Sequence, residues 1–124
     1  MDQTLAGRTA LVTGSTSGIG LGIACAFAAA GARVMLNGLG GADAIAAARE
    51  RVAKAAGGPE PPVSQADLST GAGVRAMCDD ARAALGRVDI LVNNAGIQVT
   101  SPVVDFPDDK WDLILAINLS SAFH

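Results

Sequence analysis

What most limits the folds open to this chain is a change in the kind of apolar segment, repeated along all 124 residues. Short runs rich in Val, Leu and Ile, about five residues each, alternate with Ala-rich stretches of a dozen or more. Gly, Pro, Asn or Asp marks each change. The pattern predicts strands at Thr9 to Thr13, Arg33 to Asn37, Pro62 to Ala66 and Val88 to Asn93. It predicts helices from Ile19 to Ala30, closed by Gly31, and from Ala42 to Ala56, closed by Gly57, Gly58 and Pro59. A third runs from Thr70 to Leu85, and a last one starts near Pro107, where Asp108 and Asp109 suit the positive end of a helix dipole. Strands joined through helices of this length must run parallel, so the expectation is an α/β domain with a sheet covered on both faces.

Composition narrows the class. Half of the residues are hydrophobic and 17% are charged, which suits one domain with a real core and excludes a disordered chain. A net charge of −3, with nine basic residues scattered along the chain, leaves no footprint for nucleic acid. No window approaches the ~18 apolar residues of a membrane span, and the opening MDQTLAGRTALVTG has no basic leader. A soluble, untargeted protein of the cytoplasm is expected, without a membrane partner. Cys25 and Cys78 fall inside Ala-rich helices and read as small buried hydrophobes in a reducing compartment, with no metal site implied.

Three polar segments lie where strands of such a sheet end. Between the first strand and helix is TGSTSGIG, Thr13 to Gly20, with glycines at G-x-x-x-G-x-G spacing. Gly14 lets the chain leave the strand sharply, Gly18 allows backbone close to a pyrophosphate, and Gly20 permits tight helix packing. Amides at the helix start then face an anion; without a ligand the same loop is a Gly-rich turn. Asp67 comes after the third strand, where a carboxylate can accept a hydrogen bond from an adenine amino group, with Leu68 lying by the ring, or serve the N-terminus of the next helix. The fourth strand runs into Asn93 and Asn94, then Ala95 and Gly96. Asn93 reads as a structural lock and Asn94 as the ligand candidate. Asn118 is a lone amide in the apolar helical segment WDLILAINLSSAFH.

Together TGSTSGIG, Asp67-Leu68, NNAG at Asn93 to Gly96, and Asn118 resemble the short-chain dehydrogenase/reductase family over the whole chain. Within it, NGLG at Asn37 to Gly40, NNAGIQ, and the run from Phe106 to His124 are similar to members that act on short 3-hydroxy acids. The resemblance implies a Rossmann-type doubly wound sheet of about four strands in the order 3-2-1-4. It implies that Gly14, Thr16, Gly18, Ile19 and Gly20 hold the pyrophosphate and ribose of NAD, and that Leu39 borders the adenosine. Asn94 and Gly96 would meet the cofactor, and Gln98 would donate its amide to a substrate carboxylate. The substrate would be a small hydroxy acid or its keto acid, and a full-length form would be a homotetramer. NAD-preferring members often carry an acidic residue after the second strand; here Asn37, Gly38 and Leu39 stand there. No Arg or Lys lies in Ser15 to Ser17 or Asn37 to Gly41 to meet the 2′-phosphate of NADP, so NAD is the expectation.

The family's catalysis uses Asn, Ser, Tyr and Lys, with Tyr as general acid/base and Lys four residues later. This chain has no Tyr, and its lysines are Lys54 and Lys110 on predicted helices. Asn118 matches the first of the set, where it distorts the helix and its backbone carbonyl holds a water of the proton relay. The expectation is therefore the cofactor-binding half of such an enzyme, inactive alone. Two alternatives are a catalytically silent dinucleotide-binding or interaction module, and part of an NADPH-dependent 3-oxoacyl reductase.

Overall fold

The computed structural model describes residues 2–124. Its four strands are β1 (Thr9–Val12), β2 (Arg33–Asn37), β3 (Val63–Ser64) and β4 (Ile90–Val92), all parallel in the order β3-β2-β1-β4. Three helices connect them: α1 (Gly18–Ala29), α2 (Ala42–Ala56) and α3 (Gly71–Leu85). After β4 the chain passes through a short 3-10 turn at Val103–Asp105 into α4 (Asp108–Leu115). A π turn at Ala116–Ser120 and a last turn, α5 (Ser121–Phe123), follow.

Side chains alternate across the sheet with a period of two, and each face buries its own set. Ala10, Val12, Val34 and Leu36 pack with Leu21, Ala24 and Ala28 of α1 and Ala48 and Val52 of α2. Leu11 and Met35 point the other way, onto Val74, Met77, Ala81 and Leu85 of α3. Alanines on α1 and α2 let these helices approach closely, while larger residues on β1 and β2 fill the space. Truncating a buried Leu such as Leu11 to Ala costs about 2–5 kcal/mol in a core of this kind. Cys25 and Cys78 are free and half-buried, one against each cluster.

The edge strands are shorter than the apolar pattern predicts. Only Val63 and Ser64 pair with β2, and only Ile90 to Val92 pair with β1. Each edge has one neighbour, so residues beyond the ladder bend away to enter the next loop. On β4 the open side leaves Leu91 54% exposed. No residue of α4, the π turn or α5 is buried, and Trp111, Leu119 and Phe123 present apolar surface. Among the described residues no helix is long and apolar enough to cross a membrane.

Candidate functional site

The carboxyl ends of β1, β2 and β4 converge on one polar knot. Asn37, 2% exposed, is its centre. Its Oδ1 accepts from the Gly14 amide at 3.1 Å, and its Nδ2 donates to the carbonyls of Ser64 and Ala66 at 3.2 and 3.3 Å. Ser15 pairs with it through backbone: the Ser15 amide donates to the Asn37 carbonyl at 2.7 Å, and the Asn37 amide donates to Ser15 Oγ at 3.0 Å. The Ser15 hydroxyl then donates to the Val12 carbonyl at 2.6 Å. Among the described residues no buried side-chain nitrogen or oxygen is left without a hydrogen-bond partner, as burial requires.

A second lock fastens the loop from the β4 side. The buried Thr13 hydroxyl oxygen accepts from the amides of Asn94 and Ala95 at 3.0 and 2.9 Å. Asn94 Nδ2 donates to the carbonyls of Thr13 and Gly14 at 3.2 and 3.0 Å. The locking amide is therefore that of Asn94, while Asn93 is exposed. Sequence reading assigned the lock to Asn93. β4 ends at Val92, and Asn94 keeps the parity of Ile90 and Val92, which pack on the α1 face of the sheet, while Asn93 takes the opposite parity and is exposed.

The glycines serve close approach. Gly14, at φ +59°, lies against Ala95, whose Cα would be 2.8 Å from a Cβ placed there. A Cβ on Gly20 would overlap the Gly14 carbonyl and stand 2.5 Å from Asn94 Nδ2. Gly20 thus packs α1 against the loop itself. Gly18, at φ +57°, has nothing within 4 Å of where its side chain would point. Beside the loop is a cleft of about 450 Å³ lined by Gly14, Thr16, Ser17, Gly38, Leu39, Gly40, Asn94, Ala95 and Gly96. None of these residues carries a charge.

The start of α1 is electrostatically unfinished. Ser17, its N-cap, makes no side-chain capping bond, and its first turn has no acidic residue. By contrast Thr70 caps α3 through the Gly73 amide at 3.0 Å, and α4 begins with Asp108 and Asp109. The first amides of a helix have no partner within it, so those of α1 are left for an anion at the cleft. On the rims Ile19 and Leu39 are 78% and 64% exposed, apolar surfaces available to a ring. These features fit the diphosphate and rings of a dinucleotide.

Asp67 and Leu68 part company. Asp67 is exposed, and its Oδ1 accepts from the Ser69 amide at 2.9 Å. That bond, and a further one from the Ser69 side chain, hold its carboxyl below the ordinary value of 3.8. Its backbone carbonyl lies against Gly73 of α3. Leu68 is buried beneath the sheet beside Leu11, Met35 and Val74. Its side chain belongs to the core between the sheet and α3, and so does not present the exposed apolar surface that a ring would lie on.

Beyond β4, Asn118 reaches the loop that carries Gln98. Its side-chain amide bonds both backbone groups of Ile97, and Gly96 packs 3.2 Å from its Oδ1, measured from a Cβ position. The helix is distorted there, since Asn118 lies within the π turn. Gln98 is exposed on the same loop. Neither residue lines the cleft, yet Gly96 and Ile97 connect them to it. Thr13, Ser15 and Asn37 were missed as a group; the available signal was polar residues ending otherwise apolar strands.

A family model described as short chain dehydrogenase matches residues 8–124. The chain is 53% identical over 120 residues to D-beta-hydroxybutyrate dehydrogenase of Cupriavidus necator, covering 97% of this chain and 45% of that protein. It is 46% identical to the enzyme of the same name from Rhizobium meliloti, covering 94% and 45%. L-sorbose reductase from Gluconobacter frateurii, solved with NADPH and L-sorbose, superposes with a TM-score of 0.88 at 33% identity, covering 99% of this chain and 46% of the other. A short-chain type dehydrogenase/reductase from Mycobacterium marinum gives 0.87 at 33% identity, covering 98% and 48%. The chain spans about half the length of the relatives it matches. By its match over nearly its whole length, this chain belongs to the short-chain dehydrogenase family.

Proposed function

We propose that residues 1–124 are the NAD-binding part of a D-3-hydroxybutyrate dehydrogenase, which interconverts D-3-hydroxybutyrate and acetoacetate. The observation that carries the reading is the uncapped N-terminus of α1 opening on an uncharged cleft. Gly18, Ile19 and Gly20 offer backbone amides to the diphosphate, Thr16 lies toward the ribose, and Leu39 borders the adenosine. Asp67 Oδ2 and the Leu68 backbone are the groups for the adenine edge. NAD accepts or returns the hydride when bound. The two hydroxybutyrate dehydrogenases among the relatives support the substrate.

On the substrate side, Gln98 presents an uncharged amide donor to a small carboxylate, on a loop held by Asn118. The family's proton donor is a Tyr, and the 124 residues contain none. This chain alone is therefore a binding unit that does not turn substrate over. The wider reading carries a cytoplasmic homotetramer.

Calorimetric titration of the chain with NAD and NADP tests the cofactor. A preference for NAD of about tenfold or more is expected, since a 2′-phosphate meets no cation. Preference for NADP would favour the 3-oxoacyl reductase reading, and failure to bind either would remove the dinucleotide site.

A further inference from the structure

Gly38 stands about 20 residues after the glycine loop, where a carboxylate commonly holds the ribose of NAD. Its backbone is not in the left-handed region, so conformation does not demand glycine. Space does. A Cβ on Gly38 would overlap Thr16 Oγ1 and stand 2.7 Å from Thr16 Cγ2 and 2.9 Å from Thr16 Cβ. Turning the Thr16 side chain would not relieve this, because the Cβ does not move with χ1. Nor can the two backbones part easily. The residues just before them, Ser15 and Asn37, are bonded to each other through both backbone amides, and the Gly14 amide is bonded to the Asn37 side chain.

Resting on the NAD-binding reading above, we infer that Thr16 and Gly38 form a coupled pair that sets cofactor selectivity by keeping the ribose end of the cleft uncharged. Thr16 occupies the space through which any side chain at position 38 would leave the backbone. Its hydroxyl is then the polar side-chain group offered to the ribose in place of a carboxylate. Selectivity against a 2′-phosphate comes from the lack of a cation rather than from repulsion by an acid, and is correspondingly moderate. An acidic residue can be installed at position 38 only when position 16 gives way.

The test compares the chain with its Gly38→Asp, Gly38→Ala, Thr16→Gly and Thr16→Gly/Gly38→Asp variants, by thermal melting and by titration with NAD and NADP. Gly38→Asp and Gly38→Ala are each expected to lower the melting midpoint by about 5 °C, from overpacking. Both should weaken NAD binding. In the Thr16→Gly background Gly38→Asp should cost no further stability, and the double variant should favour NAD over NADP about tenfold more than the unmodified chain. Equal melting losses from Gly38→Asp in both backgrounds, or a single Gly38→Asp variant with normal melting and sharper NAD preference, would overturn the pairing while leaving NAD binding intact. An unmodified chain that binds neither nucleotide would remove the NAD reading and this selectivity with it.

Discussion

Asn118 and Ile97 hold each other at both ends of an amide. The Ile97 N–H donates to Asn118 Oδ1 at 2.8 Å, and Asn118 Nδ2 donates to the Ile97 carbonyl at 3.0 Å. A side chain in a π turn thereby imitates a strand neighbour for a loop that has left the sheet. Both bonds are solvent-exposed, so their net contribution is modest. Asn118→Ala is expected to cost about 1 kcal/mol locally, and the Ile97 amide should exchange with solvent about fivefold faster. Native-state hydrogen exchange reads this directly, and unchanged protection at Ile97 would show that the loop is held by other means.

Asn37 invites a misleading substitution. Replacing it with Asp places a carboxylate at the end of β2, where dinucleotide sites commonly hold the ribose of NAD, yet its Nδ2 faces the Ser64 and Ala66 carbonyls below the loop. Asn37→Asp sets oxygen against oxygen at a buried position and should cost about 2–5 kcal/mol, with no gain in NAD preference. Denaturant melts and nucleotide titration of the same sample check both halves of this statement. A stable variant with sharpened NAD preference would place the side chain in the cleft instead.

Acid stability should report on Asp89. Its carboxylate accepts from the Thr9 amide at 2.9 Å and meets the Arg87 guanidinium at 3.1 Å. The Thr9 backbone bond chiefly holds its carboxyl below 3.8; desolvation opposes it, and the Arg87 charge adds a smaller lowering. A group whose value is depressed by folding stabilises the fold above its unfolded value, and that contribution is lost as pH falls through the folded one. Asp89→Asn should therefore lower the urea midpoint at pH 7 but match the unmodified chain well below pH 3.8. A difference that persists equally in acid would deny Asp89 this role.

The exposed apolar residues should make the 124-residue chain self-associate. Leu91, Leu119 and Phe123 are 54%, 66% and 86% exposed, and β4 has a free edge. Elution ahead of the monomer position and turbidity rising with concentration are expected, with Phe123→Glu reducing both. A chain that stays monodisperse and monomeric as its concentration rises would count against it.

That the strands run parallel was legible because helices of a dozen residues join short apolar runs, while their order came from the family resemblance carried by the glycine loop and the NNAG segment. The glycine loop was legible because Gly14 and Gly20 mark close approaches that side chains would obstruct and Gly18 marks a left-handed backbone. What escaped depended on parity and distance. Whether Asn93 or Asn94 turns inward follows from where β4 stops, and an edge strand's last paired residue is decided by its neighbour. Leu68 is apolar whether it meets a ring or a core, and only the placement of α3 decides. The Thr16 and Gly38 contact spans two loops whose alignment comes from the β1 and β2 register, Val12 opposite Leu36.

The ties that fasten the glycine loop, Asn37 and Ser15 on one side and Thr13 and Asn94 on the other, have a thermodynamic consequence for whatever enters the cleft. The loop is preorganised. Its backbone is ordered by folding, so a ligand meets amides already aimed and gives up mainly its own freedom on docking. Mutations in Thr13, Ser15 and Asn37, none of which lines the cleft, should then weaken binding through the entropy of the empty site and not through lost contacts to the ligand.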